Sequence, residues 1–323
     1  MRVEKKNFPL HSPFVITGYT FTELQAIWVT LSENGHAGRG EACGVYYLGE
    51  TQDSMAAAVE DVRFAVENGA TRSDVQELLP PGGARNALDC AMWDLECKSS
   101  GKSVWELLDI KPHELTTVAT IGIGAPDQMA TRALELSSFT KLKIKLDSDQ
   151  PIERLAAIRA VRPDAELVVD ANQGWTAEQL TRIAPQLESL AIAMVEQPLA
   201  RGDDSAMAHV PRVIPMGADE SLVSLDEYDA VAPLYDVINI KLDKCGGLTE
   251  ALTIVERAQT DGKKVMVGNM TGTSLSMAPS YVVGQFAEFV DIDGPVLLSD
   301  DIPGGLTYQE GGVVSLPAPT LWG

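Results

Sequence analysis

Short alternating runs of apolar and polar residues fill positions 1–50. Ala26–Leu31 and Gly40–Val45 suggest strands on either side of a turn over Glu33–Gly38, as in an antiparallel meander. From 53 to 69 the spacing becomes helical, with Met55, Ala58, Val59, Val62, Phe64 and Ala65 on the repeat. Pro80-Pro81-Gly82-Gly83 breaks the chain. Ala84–Lys98 then carries a second helical stripe of Leu88, Ala91, Met92 and Leu95, and Ser103–Leu108 a short third helix. These pieces make an α+β module of about 110 residues.

From Thr116 onward strand and helix patterns alternate. Val118–Gly122, Lys141–Leu146, Leu167–Asp170, Ala193–Glu196, Val213–Asp219, Val237–Lys241, Lys264–Gly268 and Glu288–Asp293 are eight candidate strands. Helical stretches such as Ile152–Val161 and Leu248–Gln259 lie between them. Eight such repeats predict an α/β protein, a closed TIM-type (β/α)8 barrel. The sequence after the eighth strand is rich in Gly and Pro without a clear helix, so the form expected is a modified barrel, (β/α)7β. The expected organisation is an α+β domain over residues 1–112, the barrel over 113–295, and a tail over 296–323 that returns to the first domain.

Charged residues sit at the C-terminal ends of these strands, the face where such barrels gather their chemistry. In Lys141–Leu146 strict alternation puts Lys141, Lys143 and Lys145 on one face and Leu142, Ile144 and Leu146 on the other. The next three strands end in Asp170, Glu196 and Asp219, spaced 26 and 23 residues apart, and the sixth ends in Lys241. Strands two and six are four apart and face each other across an eight-stranded barrel. Three carboxylates on adjacent strand tips suit a hard cation, Mg²⁺ above all. Burial and a nearby cation both lower a lysine's pKa. Lys145 and Lys241 could then move a proton at opposite faces of one carbon, with the metal stabilising the enolate between the two steps. Lys141 fits a strand-entry residue at the barrel bottom, and Asp300-Asp301 a surface turn.

The net charge of −21 argues against nucleic acid as a partner. No apolar run approaches the roughly 18 residues of a membrane span, and residues 1–20 lack the apolar stretch of a signal peptide. A cytoplasmic protein with no membrane partner is expected; monomer and homo-oligomer both remain open. Cys43, Cys90, Cys97 and Cys245 form no CxxC and no zinc pattern, which suggests reduced thiols.

Lys143-Ile-Lys145, Val169-Asp-Ala-Asn172, Val195-Glu-Gln-Pro198, Ala218-Asp-Glu-Ser221, Asn239-Ile-Lys241, Lys244-Cys-Gly-Gly247 and the helix Ala84–Leu95 together resemble the enolase superfamily, in its muconate-lactonising subgroup. The resemblance covers nearly the whole chain. It implies Mg²⁺ on Asp170, Glu196 and Asp219, acid/base roles for Lys145 and Lys241, support from Lys143, and a capping role for the N-terminal domain. Asp291-Ile-Asp293 resembles the Asp-x-Asp pair of dipeptide epimerases, which holds a substrate's α-ammonium; two carboxylates at i and i+2 share a strand face. Tyr46–Glu50 resembles the capping loop of that group, and substrate contacts are further implied at Tyr46, Thr120, Asn172 and Met270. The activity implied is epimerisation of a dipeptide of the L-Ala-X type, L-Ala-D/L-Glu included. N-acylamino acid racemisation, o-succinylbenzoate synthesis, cycloisomerisation and a non-catalytic metal- or solute-binding barrel are the alternatives. Relatives that select acidic dipeptides often carry a basic residue in the first capping loop, whereas Leu10–Glu23 holds no Lys or Arg. A preference for neutral or apolar X follows.

Overall fold

The computed structural model describes residues 1–323. Strands β1 (Arg2–Ile16), β2 (Tyr19–Glu33) and β3 (His36–Cys43) pair antiparallel in that order. The β2–β3 turn is tighter than the sequence suggests. Only Asn34 and Gly35 make it, at φ 49° and 85°, the left-handed pair that a two-residue hairpin turn requires. His36, Ala37 and Gly38 already pair with Glu33, Ser32 and Leu31.

Five helices follow: α1 (Gln52–Asp61), α2 (Arg63–Glu67), α3 (Arg72–Leu78), α4 (Gly83–Ser100) and α5 (Val104–Leu108). The single helix expected over 53–69 is two, broken at Val62. Helix α3 was not expected, because it buries only Val75 and so has no apolar stripe; its legible signal is the Thr71–Asp74 capping box. Helix α4 lies directly on the sheet. A Cβ at Gly38 would come 2.2 Å from Leu95 N and one at Gly40 2.1 Å from Ala87 O, so only glycine permits this approach. Ile27, Val29, Met55, Val59, Ala87 and Leu88 form the core between them.

The second part is a parallel barrel. After β4 (Leu115–Thr116) come β5 (Ala119–Ile121), α6 (Pro126–Glu135), β6 (Lys141–Lys145), α7 (Pro151–Val161), β7 (Glu166–Asp170), α8 (Ala177–Ser189), β8 (Ile192–Glu196) and β9 (Met216–Ala218). Then follow α9 (Tyr228–Val231), β10 (Val237–Ile240), α10 (Leu242–Cys245), α11 (Leu248–Thr260), β11 (Lys264–Val267), α12 (Ser274–Gly284) and β12 (Phe289–Val290). Strands β5 to β12 neighbour one another in chain order, and Val118 N donates to Val290 O at 2.9 Å to close the ring. Strand β9 begins at Met216, not at Val213, because Pro215 has no N–H to give a ladder. Only the single turn α13 (Gly294–Leu297) follows β12, as in a (β/α)7β barrel.

One pleat below the strand-tip acids, Val168, Met194, Val237, Met266 and Phe289 pack into one apolar cluster that floors the site. The segment after α13 adds β13 (Val313–Val314) to β4, then crosses to α4, where Trp322 Nε1 donates to Cys90 O at 3.0 Å and Gly323 N to Asp94 Oδ1 at 2.9 Å.

A second junction lies near the barrel mouth. Glu41 on β3 is buried and accepts from Trp28 Nε1 (2.8 Å), Thr273 N (2.8 Å) and Thr273 Oγ1, clasping the N-terminus of α12. Burial pushes its pKa up to about 7 against the pull of those donors. Asp301 is not a mere surface turn: it accepts from Ser274 N at 3.0 Å and from Ser274 Oγ, because a further N–H group of the same helix end needs an acceptor. All four cysteines are free thiols. No helix is long and apolar enough to cross a membrane.

Candidate active site

Register brings the strand-tip residues together. Lys145 pairs with Asp170 and Asp170 with Glu196, so these side chains stand on neighbouring tips. Asp219 follows β9 directly. One carboxylate oxygen each from Asp170, Glu196 and Asp219 lies within 4.8 Å of the others, all three buried. Lys145 Nζ is 2.6 Å from Asp170 Oδ2 on one side. Lys241 Nζ is 2.6 Å from Asp219 Oδ2 and 3.9 Å from Glu196 Oε1 on the other. Strands β7, β8 and β9 separate the two lysines.

Lys143 reaches into the same cluster, 3.1 Å from Asp170, 2.7 Å from Glu196 and 2.7 Å from Asp291. Burial alone would lower the pKa of Lys143 and Lys241. The surrounding carboxylates outweigh it and hold both ammonium groups well above their usual range: Asp291, Glu196 and Asp170 at Lys143, Asp219 and Glu196 at Lys241. The acids split. Burial and neighbouring acids push Glu196 up to about 8, while Lys145 and Lys143 overcome burial and hold Asp170 well below the carboxylate range.

The donor set fits a hard divalent cation. It is all oxygen, converges from three adjacent strands, and includes Glu196 Oε2, which meets only the Lys143 ammonium, at 2.7 Å and outside hydrogen-bond geometry.

The remaining candidates divide into two groups. Tyr46 and Met270 line one cavity of about 340 Å³ beside the mouth, with Leu10, Phe21, Leu24, Glu23 and Glu50. Tyr46 packs its ring 4.4 Å from Tyr19 and 5.2 Å from Phe21. Thr17 anchors the β1–β2 turn beneath by donating to Leu146 O (3.2 Å) and Ala171 O (3.1 Å). Thr120 and Asn172 lie apart from that cavity. Thr120 N donates to Asp293 Oδ2 at 2.7 Å. Asn172 Nδ2 donates to Glu220 Oε1 at 3.1 Å and its Oδ1 has no partner. Asp291 and Asp293 are both buried but differently partnered: Asp291 is paired with Lys143, and Asp293 has no basic side chain within 4 Å.

Several contacts here escaped sequence reasoning, although Lys244, Asn239 and Glu220 stand in the motifs named above. Lys244 donates to Asp219 Oδ1 at 2.6 Å and to three main-chain carbonyls, of Asp219, Leu222 and Asn239. Asn239 Nδ2 donates to Glu196 Oε1 at 2.7 Å. A polar residue inside the apolar strand Val237–Ile240 was the available signal. Glu220, next to Asp219, is pushed up to about 7 by burial and by Asp219.

Residues 1–109 match the mandelate racemase/muconate lactonizing enzyme N-terminal domain, and residues 127–319 the enolase C-terminal domain-like family. The L-Ala-D/L-Glu epimerase of Escherichia coli (strain K12) is 40% identical over 96% of this chain and 98% of its own. An enolase family member from Agrobacterium tumefaciens with homology to dipeptide epimerases, solved with sodium and L-Ala-L-Glu, superposes with a TM-score of 0.96. It is 38% identical, and the match covers 100% of this chain and 99% of that one. A dipeptide epimerase from Methylococcus capsulatus, complexed with Mg and L-Arg-D-Lys, gives 0.89 at 30% identity, over 99% of this chain and 98% of its own. The chain therefore belongs to the mandelate racemase/muconate lactonizing enzyme family of the enolase superfamily and, like these relatives, is an isomerase.

Proposed function

We propose that this isomerase is a Mg²⁺-dependent dipeptide epimerase that inverts the α-carbon of the C-terminal residue by 1,1-proton transfer. One observation carries the reading: two buried lysines flank a single acid triad from opposite walls. Asp170, Glu196 and Asp219 would hold the cation. When bound, it supplies positive charge to the substrate carboxylate as negative charge builds there.

Lys145 and Lys241 then address the two faces of the α-carbon. One would take its proton while the other returns one, the enantiomer bound deciding which; Lys241 could act as the base only once a cation on the triad engages the carboxylates that hold its ammonium charged. Lys143 holds positive charge beside Asp170 and Glu196. Asp291 and Asp293 favour a free α-ammonium at the distal end over an acyl group, which would leave a buried acid without a partner. The apolar floor below the triad and the packed rings of Tyr19, Phe21 and Tyr46 beside the mouth would limit the entry of water. No lysine or arginine lines the side cavity, which favours neutral or apolar C-terminal residues.

The test is solvent-deuterium exchange at that α-carbon, followed by NMR over a broad dipeptide library. Exchange with several L-Ala-X dipeptides is expected; none with any member would sink the reading.

A further inference from the structure

The loop from β11 to α12 carries Met270 to the mouth and contains an unusual residue. Thr271 is β-branched and sits at φ 78°, a region such side chains avoid. Asn269 holds the turn, accepting from Thr271 N through its Oδ1 at 2.8 Å. Its other end points the opposite way. Asn269 Nδ2 donates to Asp291 Oδ1 at 3.1 Å and to Asp291 O at 2.9 Å. Asp291 is thereby gripped on both oxygens, by Asn269 on Oδ1 and by Lys143 on Oδ2 at 2.7 Å.

Asp293 differs. It is as deeply buried, takes one hydrogen bond, from Thr120 N, and faces no cation of the protein. A buried carboxylate with so few partners is costly unless a positive group arrives. Burial, then Asp291 beside it, push its pKa up to about 7. The two acids are therefore unequal: one is occupied by the protein, the other is available.

We propose that Asn269 is a positioning residue for amine recognition: it pins Asp291 against Lys143, so that Asp293 is left to receive the substrate's ammonium. The proposal rests on the dipeptide reading above. Loss of the Asn269 donor leaves Asp291 Oδ1 unsatisfied. Asp291 is then free to swing away from its place against Lys143, and the ammonium no longer meets an Asp293 set apart to receive it.

The test compares a dipeptide, L-Ala-L-Leu, with its analogue lacking the amine, N-propionyl-L-leucine, in wild type and Asn269→Leu. Wild type is expected to favour the dipeptide in kcat/KM. Asn269→Leu should lower that amine selectivity at least tenfold, mainly through the KM of the dipeptide, with the analogue changed less than twofold. A role confined to the Thr271 turn would depress both substrates equally and leave the ratio unchanged, and that result overturns the proposal. Asn269→Ala is the second variant should the larger side chain prevent folding, with the same expectation. Wild-type turnover of both substrates at equal efficiency, or of neither, overturns the dipeptide reading and this inference together. A selective wild type with an equally selective variant overturns only the inference.

Discussion

Lys143 Nζ lies 2.7 Å from Asp291 Oδ2, joining the second barrel strand to the eighth near the seam where the ring closes. Asp291 is thus a counter-ion within the cationic cluster as well as a neighbour of Asp293. Asp291→Asn should lower kcat about 10–100-fold, as for a lost charged hydrogen bond of roughly 1.5–3 kcal/mol. Asp293→Asn should instead raise KM for a dipeptide by a similar factor. Steady-state kinetics on both variants separates them, and KM effects of equal size would contradict the division.

Lys145→Ala and Lys241→Ala should each abolish epimerisation while preserving Mg²⁺ binding by calorimetry. Each variant should retain α-proton exchange from one substrate enantiomer only, the opposite one in the two cases, because each amine serves one face. Normal turnover by either variant would rule out the two-base scheme.

Mg²⁺ should also stabilise the fold. A ligand at one hundred times its Kd contributes about 2.7 kcal/mol, a rise of several degrees in Tm for a chain of this length. Glu196→Gln should lose most of that rise, since it removes the charge of the middle acid of the triad. Scanning calorimetry with and without Mg²⁺ measures it; an undiminished shift would remove Glu196 from the ligand set.

Away from the triad, Asp243 predicts a pH effect. Burial pushes its pKa from an ordinary 3.8 up to about 7, although Asn86 Nδ2 (2.9 Å) and Cys43 N (3.0 Å) both donate to its Oδ1. Between those values the native chain keeps a proton that the unfolded chain has lost. The stability tied to this group is therefore complete below about pH 4 and declines as pH rises toward 7. Asp243→Asn keeps the acceptor and removes the titration. Its stability relative to wild type should rise between pH 4.5 and 7.5, by up to a few kcal/mol. Urea unfolding at the two pH values checks this, and a difference independent of pH would refute it.

Side-chain preference follows from the cavity around Phe21, Leu24, Tyr46 and Met270. The cations nearest in sequence are engaged elsewhere: Arg39 donates to Leu321 O at 2.9 Å, Lys5 pairs with Asp53, and Lys6 with Glu4 at 3.1 Å. Glu23 and Glu50 add negative charge to the lining. L-Ala-L-Leu should be used at least as well as L-Ala-L-Glu. A Glu preference above about 100-fold in kcat/KM, or roughly 2.7 kcal/mol, would mean that a cation is recruited from outside this lining.

The barrel was legible because its strand tips break the apolar pattern at a regular interval, and a parallel sheet turns that interval into proximity. Asp170, Glu196 and Asp219 share a site because their strands are neighbours in both chain and space. Asn269 and the role of Lys244 were not legible. Their partners lie 22 and 25 residues away, a single Asn in a loop looks like solvated surface, and the motif that begins at Lys244 does not say that its ammonium turns back onto Asp219. Helix α3 escaped for a related reason: capping groups hold it, and capping leaves no hydrophobic period. The unequal partnering of Asp291 and Asp293 also lay beyond spacing, which says that two acids share a face but not which one a lysine from another strand will claim.

Glu41 grasps Thr273 from the other half of the molecule, and with it the loop that bears Met270 and Asn269. Anyone recombining caps and barrels between relatives inherits that handshake. Transplanting a cap with an aliphatic side chain at position 41 would leave the Thr273 amide without its acceptor and loosen a mouth loop that no one intended to alter. Selectivity grafted through the cap alone should arrive with a disturbed barrel loop beneath it unless positions 41 and 273 travel as a pair.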